Sequence, residues 1–256
     1  SVKTCSIVNA KSGRCSEDCS FCAQSAHYRT TLETYSLMSC DTILERARKE
    51  EGHSKRFGIV TAGKGLCADE IETVRQVVTE FSTKNLDQIP CASLGILTEA
   101  DFKSLKQAGL TRYHHNLEAC RNFYPKICTT HSYEERLQTI QAAKSAGLEM
   151  CIGGILGLGE SLNDRIDLLY EIKALQPDSV PLNFLVSIEG TPLAEKPLVP
   201  LWDAIKITAL SRFIMPTADI KIGGGRLEVF KDAQHLAFLA GANGMIIGDL
   251  LTIKGR

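Results

Sequence analysis

The chain has 256 residues, of which 44% are hydrophobic and 23% charged, a composition ordinary for a globular protein that could form one α/β barrel or two smaller domains. Its 29 basic and 30 acidic residues leave a net charge of −1, which gives no electrostatic reason to expect nucleic acid or an anionic membrane as a partner. No apolar run has the ~18 residues of a membrane span, and no signal-peptide core is present. We therefore predict a cytoplasmic protein. Because the sequence starts at Ser1 and not at a methionine, we expect it to be a trimmed chain.

Eight short apolar runs rich in Val and Ile alternate with amphipathic segments. They predict β-strands over residues 4–9, 56–60, 90–95, 112–118, 149–156, 179–186, 219–223 and 244–250. A helical segment follows each of the first seven. Eight evenly spaced strand–helix repeats favour a closed parallel (β/α)8 TIM-type barrel, a single α/β domain over residues 1–256, and an open doubly wound sheet is the alternative.

Helix boundaries carry separate signals. Ser132 with Glu135, and Thr98 with Asp101, are typical of capping boxes at helix starts. Glycines such as Gly109 end the predicted helices just before the next strand. In a barrel of this kind, the chemistry is expected at the carboxyl ends of the strands, where the following loops meet.

The ten cysteines are too few for a disulfide scaffold, and in a reducing compartment they more often bind metal, act in catalysis or fill the core. Cys15, Cys19 and Cys22 form a C-x3-C-x2-C motif after the first strand, with Phe21 before the third cysteine. Three thiolates on one loop suit a 4Fe–4S cluster with one iron left open. A zinc ion completed by His27, or a purely structural cluster, is the alternative.

This motif resembles that of the radical S-adenosylmethionine superfamily. Further strings resemble the biotin synthase family in the same order: residues 113–118 (YHHNLE), 151–160 (CIGGILGLGE), 180–184 with 190–192, and 220–226 (IKIGGGR). The resemblance runs from residue 11 to near residue 251 and implies a (β/α)8 barrel enzyme that inserts sulfur into dethiobiotin. It also implies that the open iron binds S-adenosylmethionine, two molecules of which are consumed in two hydrogen abstractions.

Polar residues of the fourth strand are expected to face the barrel interior. His114, Asn116 and Glu118 share one face because side chains alternate along a strand, and a bound ligand can pair with buried polar groups. The resemblance implies that Asn116 and Glu118 contact the cofactor ribose, with Asn116 also near the substrate. It assigns Arg136 to the S-adenosylmethionine carboxylate and Asn183 to the ureido group of dethiobiotin. A solvated Arg136 and an Asn183 bonded only to backbone are the alternatives.

An auxiliary cluster is the point at which the chain departs from the family pattern. The resemblance implies a 2Fe–2S cluster held by one cysteine each from strands two, three and five and by an arginine from strand seven. Here Cys91 and Cys151 are present, but the other two positions hold Gly58 and Lys221. Cys5, at matching depth on the neighbouring first strand, offers a replacement. We hypothesise that Cys5, Cys91 and Cys151 hold an auxiliary iron–sulfur cluster, of the 2Fe–2S type or rather a four-iron cluster with an extra sulfide, with Lys221 hydrogen-bonding to it.

Some residues have no assigned role. His114 stands where the family usually has asparagine, so it is expected to contact substrate or cluster or to be a hydrogen-bonded core residue. Cys40, Cys67, Cys120 and Cys128 match no ligand position and are treated as structural, although Cys67 and Cys120 could lie near the barrel mouth.

Partners and competing functions follow from the same resemblance. The family implies flavodoxin or ferredoxin as electron donor and a homodimer. A related radical enzyme of the hydrogenase-maturase or methylornithine-synthase type is the alternative enzyme. A non-catalytic iron–sulfur electron carrier and a structural zinc barrel are the non-enzymatic alternatives. Residues 223–226 (GGGR) also allow a phosphate-binding loop after strand seven.

Overall fold

A closed sheet of parallel strands forms the centre of the computed structural model, which describes residues 2–248. In chain order the strands are β1 (Lys3–Lys11), β2 (Arg56–Thr61), β3 (Ile89–Ser93), β4 (Arg112–His114), β5 (Glu149–Cys151), β6 (Gly154–Leu156), β7 (Ser179–Phe184), β8 (Asp219–Ile222) and β9 (Gly244–Ile247). Neighbours follow the order β5-β4-β3-β2-β1-β9-β8-β7-β6, and β5 also pairs with β7. This last pairing closes the sheet, so the predicted (β/α)8 barrel is confirmed and the open sheet is wrong.

β5 and β6 are the two halves of the fifth barrel strand, which the sequence predicts as one run. Residues 152 and 153 separate them, and Cys151 of β5 and Gly154 of β6 both pair with β7. A Cβ atom at Gly153 would lie 2.0 Å from the carbonyl oxygen of Pro181. Because only glycine fits this contact, Gly153 lets the interrupted strand approach β7 and complete the barrel.

Helices cover the outside of the barrel. They are α1 (Cys40–Lys49), α2 (Ala68–Thr83), α3 (Glu99–Ala108), α4 (Tyr133–Ser145), α5 (Leu162–Ala174), α6 (Leu201–Ile214), α7 (Arg226–Phe230) and α8 (His235–Leu239), with single 3₁₀ turns at Tyr124–Lys126 and Lys231–Ala233. Across the described part of the chain, none of the helices combines the length and the apolar character that crossing a membrane requires.

Capping residues begin the helices where the sequence predicts. Ser132 Oγ accepts from the Glu135 backbone N–H at 3.1 Å, and the Glu135 carboxylate accepts from the Ser132 N–H at 2.7 Å. Thr98 and Asp101 make the same reciprocal pair at α3. α3 ends at Gly109, whose φ of 114° lies in the left-handed region that glycine tolerates. Both predicted capping boxes are confirmed.

The hydrophobic core lies between the barrel and its helices. Tyr113 of β4 is fully buried there, with its ring 4.6 Å from that of Phe102 on α3. Its hydroxyl donates to the Gly95 carbonyl at 2.5 Å and accepts from the Leu94 N–H at 3.0 Å. Because Tyr113 points outward, the next residue, His114, points into the barrel, which leaves the interior to polar and thiol side chains.

Candidate functional site

A cavity of about 410 Å³ occupies the interior and mouth of the barrel. All ten cysteines are free thiols. Six of them line the cavity in the two sets that the sequence predicts: Cys15, Cys19 and Cys22 of the loop after β1, and Cys5, Cys91 and Cys151 on β1, β3 and β5. We call residues 15–22 the cluster loop and the second set the deep thiols. The cluster loop follows the carboxyl end of β1, whereas Cys5 and Cys91 are each the third residue of their strand, so the deep thiols lie further from the barrel mouth.

Main-chain hydrogen bonds fold the cluster loop over the mouth. The Cys15 N–H donates to the Gln24 carbonyl at 2.9 Å, and the Cys15 carbonyl accepts from the Ala26 N–H at 2.7 Å. Burial raises the pKa of Cys15 and raises the pKa of Cys22 to about 11. The protein alone therefore keeps these groups protonated, and a cationic metal centre would supply the charge that a thiolate needs. The donor set fits an iron–sulfur cluster.

A single zinc ion needs donor atoms closer together than this motif provides. Within residues 2–248, one group of side chains brings three possible metal-ligand atoms within 4.8 Å of one another. It consists of Cys19, Cys128 and His131. Cys15 and Cys22 stand outside it. His27, the fourth ligand of the zinc alternative, is exposed, and its ring bonds to the Ser16 carbonyl at 2.9 Å. The geometry favours a centre larger than one ion.

Two of the deep thiols lie beside cationic side chains. Lys221 Nζ donates to Cys5 Sγ at 2.9 Å, and Arg56 Nη1 lies 3.7 Å from Cys91 Sγ. Lys221 thus contacts the thiol for which the sequence suggests a role in an auxiliary cluster. The sequence predicts Lys221 only as a neighbour of the auxiliary cluster, and the structure places its ammonium within hydrogen-bond distance of Cys5.

The third deep thiol and its surroundings are also cationic. Burial disfavours the thiolate of Cys151, yet the neighbouring His114, Lys221 and Arg112 lower the pKa of this thiol to about 6. Arg112 Nε and Nη2 donate to one carboxylate oxygen of Glu149 at 3.0 and 2.8 Å. The buried Nη1 atom of Arg112 has no hydrogen-bond partner within the described chain. An unpaired donor on a side chain that interacts electrostatically with Cys151 and Cys91 fits an anionic group, since a buried polar group needs a partner.

Gly58 occupies the strand-two position where the family pattern has a ligand. It pairs in register with Ile7 of β1 and Cys91 of β3. A Cβ atom at Gly58 would lie 3.0 Å from Ile7 Cγ2. A side chain at this position would therefore require Ile7 to shift, so the glycine on β2 fits the packing of β1.

Asn116, Glu118 and Arg136 meet at the cavity wall. Asn116 Nδ2 donates to Glu118 Oε2 at 3.2 Å, and the Asn116 carbonyl accepts from Arg136 Nη1 at 2.9 Å. Burial opposes the charge on Arg136, but Glu118 and Tyr124 outweigh it and raise the pKa of the guanidinium. Arg136 is 9% exposed and lines the cavity, so the alternative of a solvated arginine is wrong.

The simple alternation predicted for residues 112–118 is wrong after His114. β4 ends at His114, and Glu118 adopts a left-handed backbone with φ of 68°. His115 consequently lines the cavity together with His114, Asn116 and Glu118. Within residues 2–248 the buried His115 Nε2 atom has no hydrogen-bond partner. Sequence periodicity misses such a break because it assumes a regular strand.

Asn183 lines the cavity on β7 but is also tied to backbone. Its Oδ1 atom accepts from the Gly224 N–H at 2.9 Å, and its Nδ2 atom donates to the Gly154 carbonyl at 3.3 Å. A side-chain amide has four hydrogen-bonding positions, so one donor and one acceptor stay available for a ligand. The two backbone contacts fix the orientation of the amide in the cavity wall.

The glycine run after β8 does not have the features of a phosphate loop. Gly224 already donates its N–H to Asn183, and Arg226 donates to the Gln234 side chain. The helix that begins at Arg226 is only five residues long, so its dipole offers little to an anion. The run instead supports Asn183, because a Cβ atom at Gly223 would lie 2.4 Å from Asn183 Oδ1.

Sequence analysis gave no site role to four buried residues in or beside the cluster loop: Glu17, Tyr124, Cys128 and His131. Cys128, treated as structural, has its Sγ atom 3.7 Å from that of Cys19. A usable signal was the string 128–131 (CTTH) placed directly before the α4 capping box. The remaining cysteines lie outside the cavity lining: Cys40, Cys67 and Cys120.

Comparisons of the sequence with known proteins identify the family. The sequence model of the Radical SAM superfamily matches residues 10–172, and that of the Biotin and Thiamin Synthesis associated domain matches residues 181–256. Biotin synthase of Heliobacterium modesticaldum is 49% identical over 256 residues, which are 100% of this chain and 78% of that protein. Biotin synthase of Thermotoga petrophila is 48% identical over 254 residues, covering 98% of this chain and 84% of that protein.

Solved structures share the fold at low sequence identity. A crystal structure of methylornithine synthase has a TM-score of 0.81 at 21% identity and covers 99% of this chain and 74% of its own. The structure of the FeFe-hydrogenase maturase from Carboxydothermus hydrogenoformans also has a TM-score of 0.81, at 17% identity. The match covers 96% of this chain and 59% of the maturase. These two likenesses concern the barrel alone. The assignment depends instead on the sequence identity of nearly one half with biotin synthases over the whole of this chain. The chain belongs to the biotin synthase family of the radical S-adenosylmethionine superfamily.

Proposed function

We propose that this biotin synthase family member builds the thioether of biotin from dethiobiotin inside the barrel cavity, with two iron–sulfur clusters at different depths. The observation that carries the proposal is the pair of three-cysteine sets that line one cavity. When bound, the cluster at the mouth supplies the electron that cleaves S-adenosylmethionine, and the auxiliary cluster supplies the sulfur atom. Two C–H bonds of dethiobiotin are broken and two C–S bonds are formed, at the cost of two S-adenosylmethionine molecules.

The cluster loop would hold the radical 4Fe–4S cluster through Cys15, Cys19 and Cys22. Its three thiols leave one iron without a protein ligand, which is where the amino and carboxylate groups of S-adenosylmethionine would bind. A cluster held by these thiols would border the cavity, because all three cysteines line it.

S-adenosylmethionine would be held by the polar group at the cavity wall. Asn116 and Glu118 are joined by a hydrogen bond and would present their remaining oxygens and N–H to the ribose hydroxyls. Arg136 would pair with the carboxylate, a planar guanidinium being suited to a bidentate contact. Dethiobiotin would bind below, with its ureido group on Asn183 and with Asn116 and His114 nearby.

Cys5, Cys91 and Cys151 would hold the auxiliary cluster. The Lys221 contact with Cys5 and the unpaired Arg112 Nη1 support a strongly anionic group at this depth. We propose a four-iron cluster with an extra sulfide, because three thiolates leave one iron free for the atom that is transferred. Lys221 would stabilise that charge by hydrogen bonding and would not be an iron ligand.

The remaining expectations follow the family. We propose flavodoxin or ferredoxin as electron donor, a homodimer, and the reducing cytoplasm as the compartment, which suits ten free cysteines. We also propose a single domain, because strands from both matched sequence regions close one sheet.

Two cysteine variants separate the roles of the two clusters. Protein reconstituted without oxygen, reduced and given S-adenosylmethionine and dethiobiotin should form biotin and 5′-deoxyadenosine. Cys15→Ala should abolish both products, whereas Cys5→Ala should abolish biotin and still release 5′-deoxyadenosine. Cys40→Ala, outside the cavity, is the matched control and should form both. Biotin formation by Cys5→Ala at the wild-type rate would contradict the auxiliary-cluster assignment, and wild-type protein without 5′-deoxyadenosine would contradict the reaction.

A further inference from the structure

Arg136 is held from behind by three groups. Its Nε atom donates to the Tyr124 hydroxyl at 2.8 Å, Nη1 to the Asn116 carbonyl at 2.9 Å, and Nη2 to His131 Nε2 at 3.0 Å. A guanidinium has five N–H bonds, of which these contacts use three. One N–H stays free on each Nη atom, the pair that a carboxylate accepts in a bidentate contact.

These contacts fix the proton position on His131. Arginine only donates, so His131 Nε2 must accept and carries no proton. The proton is then on Nδ1, which lies 2.6 Å from Glu17 Oε2 and 3.2 Å from Cys128 Sγ and donates to the nearer carboxylate oxygen. His131 therefore links Glu17 to Arg136 through two hydrogen bonds.

Glu17 belongs to the cluster loop, between Cys15 and Cys19. The same loop is fastened to the segment before α4, residues 127–131, which we call the anchor segment. Asp18 accepts from two N–H groups of that segment, at 2.8 and 3.2 Å, and the Ser20 N–H donates to its first carbonyl at 2.8 Å. The order of the loop and the position of His131 are thus tied together.

We propose that His131 is a positioning residue that joins the cluster loop to Arg136, so that the loop, once ordered by its cluster, aims the guanidinium at the carboxylate of S-adenosylmethionine. The proposal rests on the proposed function and adds a coupling to it. Binding free energies are reciprocal, so cluster loading tightens S-adenosylmethionine binding and the bound cofactor helps to retain the cluster.

The test measures S-adenosylmethionine binding to cluster-loaded protein by equilibrium titration, together with the change in the EPR spectrum of the reduced cluster. His131→Leu should raise Kd on the order of tenfold, since it removes a hydrogen bond to a charged group and leaves Glu17 unpaired. KM for S-adenosylmethionine should rise more than kcat falls. His131→Gln, which keeps an acceptor and a donor, should recover part of the affinity. Iron and sulfide counts should match the wild type after reconstitution.

His27→Leu is the matched control, because His27 bonds to the same loop through Ser16 but lies apart from Arg136, and its Kd should equal that of the wild type. Glu17→Gln keeps the shape of the connection and tests it without altering His131; its Kd should rise several-fold. If the wild-type protein binds S-adenosylmethionine and the Kd is unchanged in both His131→Leu and Glu17→Gln, the positioning role alone is overturned. Wild-type protein that binds no S-adenosylmethionine overturns the proposed function and the coupling with it.

Discussion

At the scale of single residues, the deep thiols differ from the cluster loop in their surroundings. The loop thiols of Cys15 and Cys22 have their pKa raised by burial, whereas Cys5 lies against the ammonium of Lys221. A cation beside a thiolate lowers the cost of negative charge, both on the free thiolate and on a bound cluster. Lys221 should therefore set the potential of the auxiliary cluster.

Replacing Lys221 tests this directly. Lys221→Met should shift the reduction potential of the auxiliary cluster to a more negative value, because reduction then adds an electron without the nearby positive charge. The potential of the radical cluster should stay unchanged. The measurement is a redox titration followed by EPR and Mössbauer spectroscopy. Lys3→Met, which removes a cation paired with Asp219 and not with a thiol, is the control. Equal shifts in both variants would contradict the role of Lys221.

Gly58 allows a test of whether a cysteine on β2 could replace Cys5 as a ligand of the auxiliary cluster. In a Cys5→Ala background, Gly58→Cys alone should fail to restore the auxiliary cluster, because its Cβ atom would crowd Ile7 Cγ2. Adding Ile7→Ala should open the space and restore auxiliary iron. Iron and sulfide counts with Mössbauer spectra measure both outcomes. Full restoration by Gly58→Cys without the change at Ile7 would show that packing on β1 does not exclude a ligand there.

At the scale of elements, α4 carries Arg136 in its first turns and depends on the Ser132 capping box. Ser132→Ala should lower the free energy of unfolding by about 1 kcal/mol and also weaken S-adenosylmethionine binding, because fraying at the helix start moves Arg136. Urea denaturation and equilibrium binding measure the two effects. Ser161→Ala removes the equivalent cap of α5, and it should cost similar stability without loss of affinity. Equal affinity losses in the two variants would contradict the link between the α4 cap and the site.

Several elements and site residues could be predicted from the sequence because their signals are local. The capping boxes at Ser132 and Thr98, the Val- and Ile-rich strands and the cysteine spacing are examples. The left-handed turn at Glu118 and the interruption at Gly153 could not be predicted, because they follow from contacts between distant strands. The same is true of the anchor segment, whose contacts with the cluster loop join residues more than 100 positions apart.

At the scale of the whole molecule, closure of the barrel depends on one close backbone approach. Gly153→Ala should prevent β5 and β6 from meeting β7, since the added Cβ atom would overlap the Pro181 carbonyl oxygen. We expect a loss of several kcal/mol in unfolding free energy, on the scale of about 3 kcal/mol for overpacked or strained sites. Gly147→Asn, at a left-handed position with no atom within 4 Å of the added Cβ, should stay close to wild type. Comparable stability of the two variants in urea denaturation would contradict the closure contact.

We propose that one barrel holds two iron–sulfur centres at different depths. Anomalous diffraction at the iron edge, from crystals grown without oxygen, locates and counts both at once. We predict two separate peaks, one beside Cys15, Cys19 and Cys22 and the other enclosed by Cys5, Cys91 and Cys151. A single peak at the cluster loop, or a second peak away from Cys5, would contradict the account.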